Sequence, residues 1–339
     1  MKQTSDLAWC HELLPGVSRT YAAAIAVLGR DLRDPVTIAY LWCRAADALE
    51  DSWAGTSEQI AERFERFLAA LDGDARAADG LASEARPLGA ERADLALVGG
   101  LPIVLRAHSA LPAADRDALR DGVRVLASGM AHYAVRAAER ARPGTLVPYL
   151  DTETELHDYC WVVAGCVGVM LTRLFTLRSP ARDEDEDAER LRLAPRVGEG
   201  LQLTNVLLDW PRDVRRGRCY VPAAWLDEYR VRVEDLADPS RLGAAAAARR
   251  LEALARAALG VVPEYLDRLP ARQWRYRMFC LWPALWALGS LQHARRDPAF
   301  PLGPERPRLP RSRVRALALR GLVWGHGPAG VRRLFAQAG

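Results

Sequence analysis

Apolar side chains return every three or four positions along nearly all of this 339-residue chain, a spacing that lines one face of an α-helix. The alternation that marks a half-buried strand is missing, and so is any asparagine-glycine hairpin signal. Breaks in the pattern fall at Gly55, at 72–80, 99–102, 141–148, 178–189 and 215–222. Helices of ordinary length joined by short loops make the expected fold all-α. No fixed-period repeat is present. Half the residues are apolar, which is ample for a buried core at this length.

Charge and cysteine usage narrow the function. A net charge of +4 is too small to indicate nucleic acid. Lys2 is the only lysine among 47 basic residues, which reads mainly as codon bias. The six cysteines form no C-x-x-C pair and no metal spacing with histidine, as expected of a reduced, cytoplasmic protein. The N-terminus carries no apolar signal core. The apolar runs near 161–172 and 278–291 fall short of the roughly 20 residues needed to span a bilayer, so no spanning segment is expected. The expected division is a domain over 1–300 and a basic tail over 301–339. From Pro301 onward there are eight arginines against the single acid Glu305, which predicts a loose segment with one short helix. Its arginines suit anionic membrane surfaces or phosphate groups.

Two stretches place acids where a helix should be buried. In residues 40–53, "YLWCRAADALEDSW", Asp47 and Asp51 share a helical face with Glu50 beside them, and Tyr40 and Arg44 fall in the same sector. In residues 201–213, "LQLTNVLLDWPRD", Gln202, Asn205, Asp209 and Asp213 follow steps of three, four and four within an arc of about 80°. Leu201, Leu203, Val206, Leu207 and Leu208 supply the opposite, core-facing stripe. Pro211 is expected to kink or end this helix, which makes Asp213 the weaker member. Acids set against a core need a cation. Magnesium suits them, because it takes one or two carboxylates and completes its shell with water and phosphate oxygens. The denser run "DEDEDAE" at 183–189 lacks apolar periodicity and reads as a solvated loop or helix start.

With these residues in view, the chain resembles the squalene/phytoene synthase family of head-to-head isoprenyl diphosphate synthases, from about His11 to Leu291. The block opening "LLPGVSRTYAAAIAVLGRDLRDP" and running to Asp51 matches the family's first segment, with Ser18, Arg19, Thr20 and Tyr21 in its S-R-[ST]-[FY] motif. "GEGLQLTNVLLDWPRDVRRGRCYVP" resembles its second aspartate block, and "FCLWPALWALGSL" is closer to squalene than to phytoene synthases. The resemblance implies a single all-α isoprenoid-synthase-type bundle around a deep apolar channel, with the two acidic clusters at its mouth. It implies that Asp47, Glu50, Asp51, Asp209 and Asp213 hold magnesium and diphosphate. Ser18, Arg19, Thr20, Tyr21, Gln202, Asn205 and Arg218 would contact substrate. Tyr159, Tyr40 and Arg44 would be catalytic, with Tyr159 handling a proton.

The implied reaction joins two farnesyl diphosphates to presqualene diphosphate and on to squalene, with magnesium and NADPH. Within the fold, the alternatives are a non-reductive synthase making phytoene, dehydrosqualene or hydroxysqualene, or a terpene cyclase or prenyltransferase. The expected partner is an isoprenyl diphosphate rather than nucleic acid, with peripheral membrane contact through the tail and a monomer or weak dimer. Two departures stand out: Leu208 replaces an arginine common in the family, and Arg212 replaces an acid. Trp42, Trp161, Trp282 and Trp286 are expected to be core packing, the alternative being a reshaped cavity and so a different chain length or product.

Overall fold

The periodic segments form helices in a computed structural model that describes residues 5–89, 92–142, 145–238, 242–297, 299–301, 303 and 305–338. By contact density the chain falls into two units, Met1–Glu139 with Val169–Asp187 and Arg140–Gly168 with Ala188–Gly339. In the first unit the helices are α1 (Asp6–Val17), α2 (Arg19–Ala26), α3 (Arg30–Asp51), α4 (Ser57–Leu71), α5 (Ala75–Ala85), α6 (Ala93–Gly99), α7 (Leu101–Ser109) and α8 (Ala113–Arg140). Their ends follow from local chemistry. Ser18 caps α2 by accepting the Tyr21 backbone N–H, and Thr56 with Gln59 forms a capping box on α4. The break expected over 72–80 shrinks to Asp72–Asp74, because Asp74 caps α5 through the N–H groups of Arg76 and Ala77. Gly73 makes the turn at φ 105°. The core of this unit is built on α3, where Ile38, Leu41, Trp42, Ala45 and Leu49 are buried.

In the second unit α9 (Glu153–Cys160) passes through a π-turn at Trp161–Gly165 into α10 (Cys166–Thr176), whose residues from Val169 onward belong to the first. The continuous run Glu153–Thr176 is 24 residues long and apolar enough to cross a membrane by length and composition, longer than the sequence pattern indicates. Close glycine contacts seat part of it against α11 (Glu184–Arg215). A Cβ on Gly168 would lie 2.3 Å from the Ala194 carbonyl oxygen, and one on Gly198 would lie 2.2 Å from that of Ala164. Only glycine lets two backbones approach so closely. The acidic run at 183–189 is the start of α11, where its carboxylates favour the positive end of the helix. Pro211 does not end α11, which continues to Arg215 and keeps Asp213 on it.

Two-residue strands, Val147–Pro148 before α9 and Arg218–Cys219 after α11, pair in parallel. Within the expected break at 141–148, Pro143 and Gly144 lie outside the described residues. The chain continues as α12 (Ala223–Glu228), α13 (Leu242–Leu259), α14 (Val262–Asp267), α15 (Trp274–Ala294), α16 (Arg311–Trp324) and α17 (Pro328–Ala338). The segment after Pro301 therefore corrects the expected loose tail. It holds two helices with Leu317, Val331 and Leu334 buried, and α15 packs on both. The reason is an apolar stripe that the arginine-rich composition conceals. The Trp286 indole N–H donates to the Val314 carbonyl at 3.1 Å. A Cβ on Gly289 would sit 2.9 Å from Leu317 Cδ1.

Candidate active site

In the first unit, α2 and α3 gather most of the predicted first cluster. The Tyr21 and Tyr40 rings lie 5.2 Å apart between centroids, and Tyr40 is hydrogen bonded to Ser18. Arg44 donates to Asp47 at 3.2 Å across one helical turn. A third of the Asp47 side chain reaches solvent, yet its carboxyl is crowded enough for desolvation to dominate. Desolvation, opposed by Arg44 and assisted by Asp51, raises its pKa to about 6. Burial raises the Tyr40 and Tyr21 hydroxyls as well, so both remain protonated donors. Burial works to lower the Arg44 pKa, but the charge and hydrogen bond of Asp47 outweigh it and raise it. Glu50 and Asp51 end the helix, Asp51 exposed. Arg19 and Thr20 stand exposed on the first turn of α2.

In the second unit, α11 carries Gln202, Asn205, Asp209 and Asp213 as its periodicity requires, with Asp209 and Asp213 8% and 9% exposed. Their charges are met by arginine. Arg306 Nη1 donates to both Asp209 carboxylate oxygens, at 2.9 and 2.7 Å, and its Nη2 reaches Asn205 Oδ1 at 3.4 Å. Arg212 lies 3.2 Å from Asp209 and 3.8 Å from Asp213. Tyr159 is buried and stacks on Tyr220 with centroids 5.1 Å apart, and Tyr220 packs edge-on against Tyr149 at 5.3 Å. The short strand pair sets this aromatic group: Tyr149 N–H donates to the Cys219 carbonyl at 2.8 Å. Arg218 lies on that strand, half-buried.

The two faces differ as cation sites. On the first, Arg44 pairs with Asp47, and a partly desolvated carboxyl influenced by Asp51 suits a hard divalent ion. On the second, guanidinium groups already hold the oxygens of Asp209, so Asp209 does not fit a metal as it stands. Among the described residues no three His, Cys, Asp or Glu side chains converge as a metal-holding group. An open groove of about 540 Å³ in the first unit is lined by His11, Arg30 and Asp34, and by none of the predicted site residues.

Sequence reasoning missed Arg306 and Tyr220. The only signal for Arg306 is the arginine excess after Pro301, which does not single out one side chain. Tyr220 follows the basic loop within a quoted motif, but nothing local links it to Tyr159. The tryptophan expectation holds for Trp42 and Trp286, both buried, and fails for Trp161, which is 45% exposed. The π-turn beginning at Trp161 inserts an extra residue into the helix and changes which way it faces.

A family model described as squalene/phytoene synthase matches residues 14–314. Human squalene synthase is 29% identical over 298 residues, spanning 85% of this chain and 63% of its own length. The chain thus spans less than two thirds of that curated relative. The complex of TcSQS with the ligand BPH1237 superposes with a TM-score of 0.79 at 23% identity, covering 98% of this chain and 90% of the other. A dehydrosqualene synthase in complex with ligand gives 0.65 at 18% identity, covering 94% and 96%. The all-α fold is that of these solved synthases.

Proposed function

The chain belongs to the squalene/phytoene synthase family, and on that footing we propose that it joins two farnesyl diphosphates head to head to presqualene diphosphate and on to squalene. The observation that carries this reading is the cluster of Tyr40, Arg44 and Asp47 with Asp51 on α3, a cationic and acidic face on a helix with an extensive buried side. Magnesium held there by Asp47, Asp51 and Glu50 would neutralise charge on the leaving diphosphate. Arg44 adds a fixed positive charge for phosphate oxygens, and the protonated Tyr40 hydroxyl donates a hydrogen bond to the same group. Ser18, Tyr21, Arg19 and Thr20 would orient that diphosphate from α2, and Gln202, Asn205 and Arg218 would serve the second. Tyr159, on a buried ring stacked on Tyr220, would take or return a proton at Oη.

Product identity tests the proposal. Purified protein is incubated with farnesyl or geranylgeranyl diphosphate and magnesium, with and without NADPH. Squalene appearing only with NADPH supports it. Dehydrosqualene without NADPH supports the non-reductive reading, which the likeness to a dehydrosqualene synthase fold keeps in play. No hydrocarbon from either substrate refutes both.

We propose that the protein acts at a membrane surface, a reading that α16 supports. Leu319, Val323 and Trp324 are 62%, 66% and 48% exposed on a helix that also exposes Arg311, Arg313 and Arg315. An apolar ridge flanked by arginine fits the surface of an anionic membrane, where a greasy product would leave the enzyme.

A further inference from the structure

Stacking on Tyr220 leaves the Tyr159 ring only partly placed. The short strand pair holds Tyr220, but offset-stacked rings tolerate a range of slides across one another. The offset is set by the way α9 is turned about its own axis. The π-turn begins two residues beyond Tyr159, and such turns interrupt the regular α-helical ladder. At and beyond the turn, Gly198 and Gly168 press the two backbones together. Before the turn, polar side chains take over.

Glu153 and His157 lie four residues apart on one face of α9, and Tyr159 projects from the opposite face. The His157 Nδ1–H donates to Glu199 Oε1 on α11. Arg196 donates to the other oxygen, Oε2, at 2.8 Å. Glu153 stands 3.9 Å from His157 Nε2. Its Oε2 accepts from the Trp225 indole of α12 at 3.1 Å and meets Arg250 of α13 at 2.6 Å. Arg250 lies over the Trp225 ring, 4.6 Å from its centroid, and pairs with Glu228 at 2.7 Å. Polar bonds thus tie α9 to three other helices. Apolar side chains could give equal stability at a site where the Glu199 side chain is 9% exposed. What a directional bond to a carboxylate adds is orientation.

We propose that His157 is a positioning residue for Tyr159. Through Glu199 it fixes the rotation of α9, and with it the offset of the Tyr159 ring on Tyr220. The inference rests on reading Tyr159 as the residue that handles the proton, and it adds the side chain that aims it. The effect passes through the helix, so loss of His157 acts on the chemical step and not on substrate binding.

The test uses the full chain carrying isotope-labelled tyrosine, with the Tyr159 and Tyr220 ring resonances assigned from Tyr159→Phe and Tyr220→Phe. His157→Leu should shift both ring resonances. It should lower kcat by up to about 10²-fold and leave the KM for farnesyl diphosphate unchanged. His157→Asn, whose amide can stand where Nδ1 stands, should restore the resonances and most of the turnover. In a Tyr159→Phe background, His157→Leu should cost no further turnover, because no hydroxyl remains to be aimed; a full further loss shows action by another route and overturns the proposal. If His157→Leu lowers the melting temperature but leaves kcat and the resonances where they were, the pair is only a brace, and the positioning role is wrong. If His157→Leu does not fold, Glu199→Leu, which leaves His157 and Arg196 facing solvent, must move the same resonances and kcat, and unchanged values overturn the proposal. Failure of the underlying reading looks different: Tyr159→Phe turns over like wild type, or wild type converts no farnesyl diphosphate, and the positioning role falls with it.

Discussion

Asp47→Asn should make the metal-free protein more stable at pH 7.5. Asp47 titrates at about 6 in the folded chain against a reference value of 3.8. A raised acid pKa means the folded state resists ionisation, so the ionised group costs stability. Two pKa units correspond to about 3 kcal/mol. Because a third of the side chain reaches solvent, screening reduces this to about 1–2 kcal/mol. The sign gives a second check. Protonation of Asp47 stabilises the wild type fully below about pH 4, and this contribution is lost as pH rises through about 6. Asparagine is neutral throughout, so the variant's advantage should be largest at pH 7.5 and vanish near pH 4. Thermal melts in chelator across pH 4–8 measure it, with an expected rise of roughly 2–6 °C at the top of the range. Magnesium with pyrophosphate should then stabilise the wild type and not the variant, since the strained carboxyl is what the cation relieves. A variant less stable than wild type at pH 7.5, or an advantage independent of pH, would refute the claim that desolvation governs this carboxyl.

Three further outcomes are expected. Tyr159→Phe keeps its stacking on Tyr220, so farnesyl diphosphate affinity should hold in equilibrium binding while turnover falls by about 10²–10⁴; unchanged turnover removes Tyr159 from the mechanism. Gly198→Ala drives a Cβ to within 2.2 Å of the Ala164 carbonyl oxygen, and should cost about 1–3 kcal/mol in a urea melt because backbone cannot move aside. Leu319→Ser combined with Trp324→Ser should weaken binding to anionic liposomes in a sedimentation assay and leave turnover in detergent unchanged. Those point changes are a cleaner test than deleting 301–339, which would uncover the face of α15 that Leu317, Val331 and Leu334 now cover.

What the sequence determined by itself was what the helical period can encode. Apolar spacing marked an all-α chain, and steps of three and four put Asp47 with Asp51 and Asp209 with Asp213 on single faces, because those relations are local and repeat every 3.6 residues. The family motifs added the partners of those faces only as a pattern of residues in order. Where the local rules met competition they misled. Pro211 was expected to break α11, but the surrounding packing carries the helix through it. The arginine-rich tail read as solvated because its charge outweighs, in composition, the few apolar residues that dock it. Tertiary structure alone decided the rest. The pKa of Asp47 depends on what covers it, and the stacking of Tyr159 on Tyr220 depends on a strand pair two residues long. Any of eight arginines could have met Asp209, and only folding brings Arg306 to it. Periodicity specifies which side of a helix is buried. It is silent on what lies opposite, and both Coulomb pairing and desolvation depend on distance through space rather than along the chain.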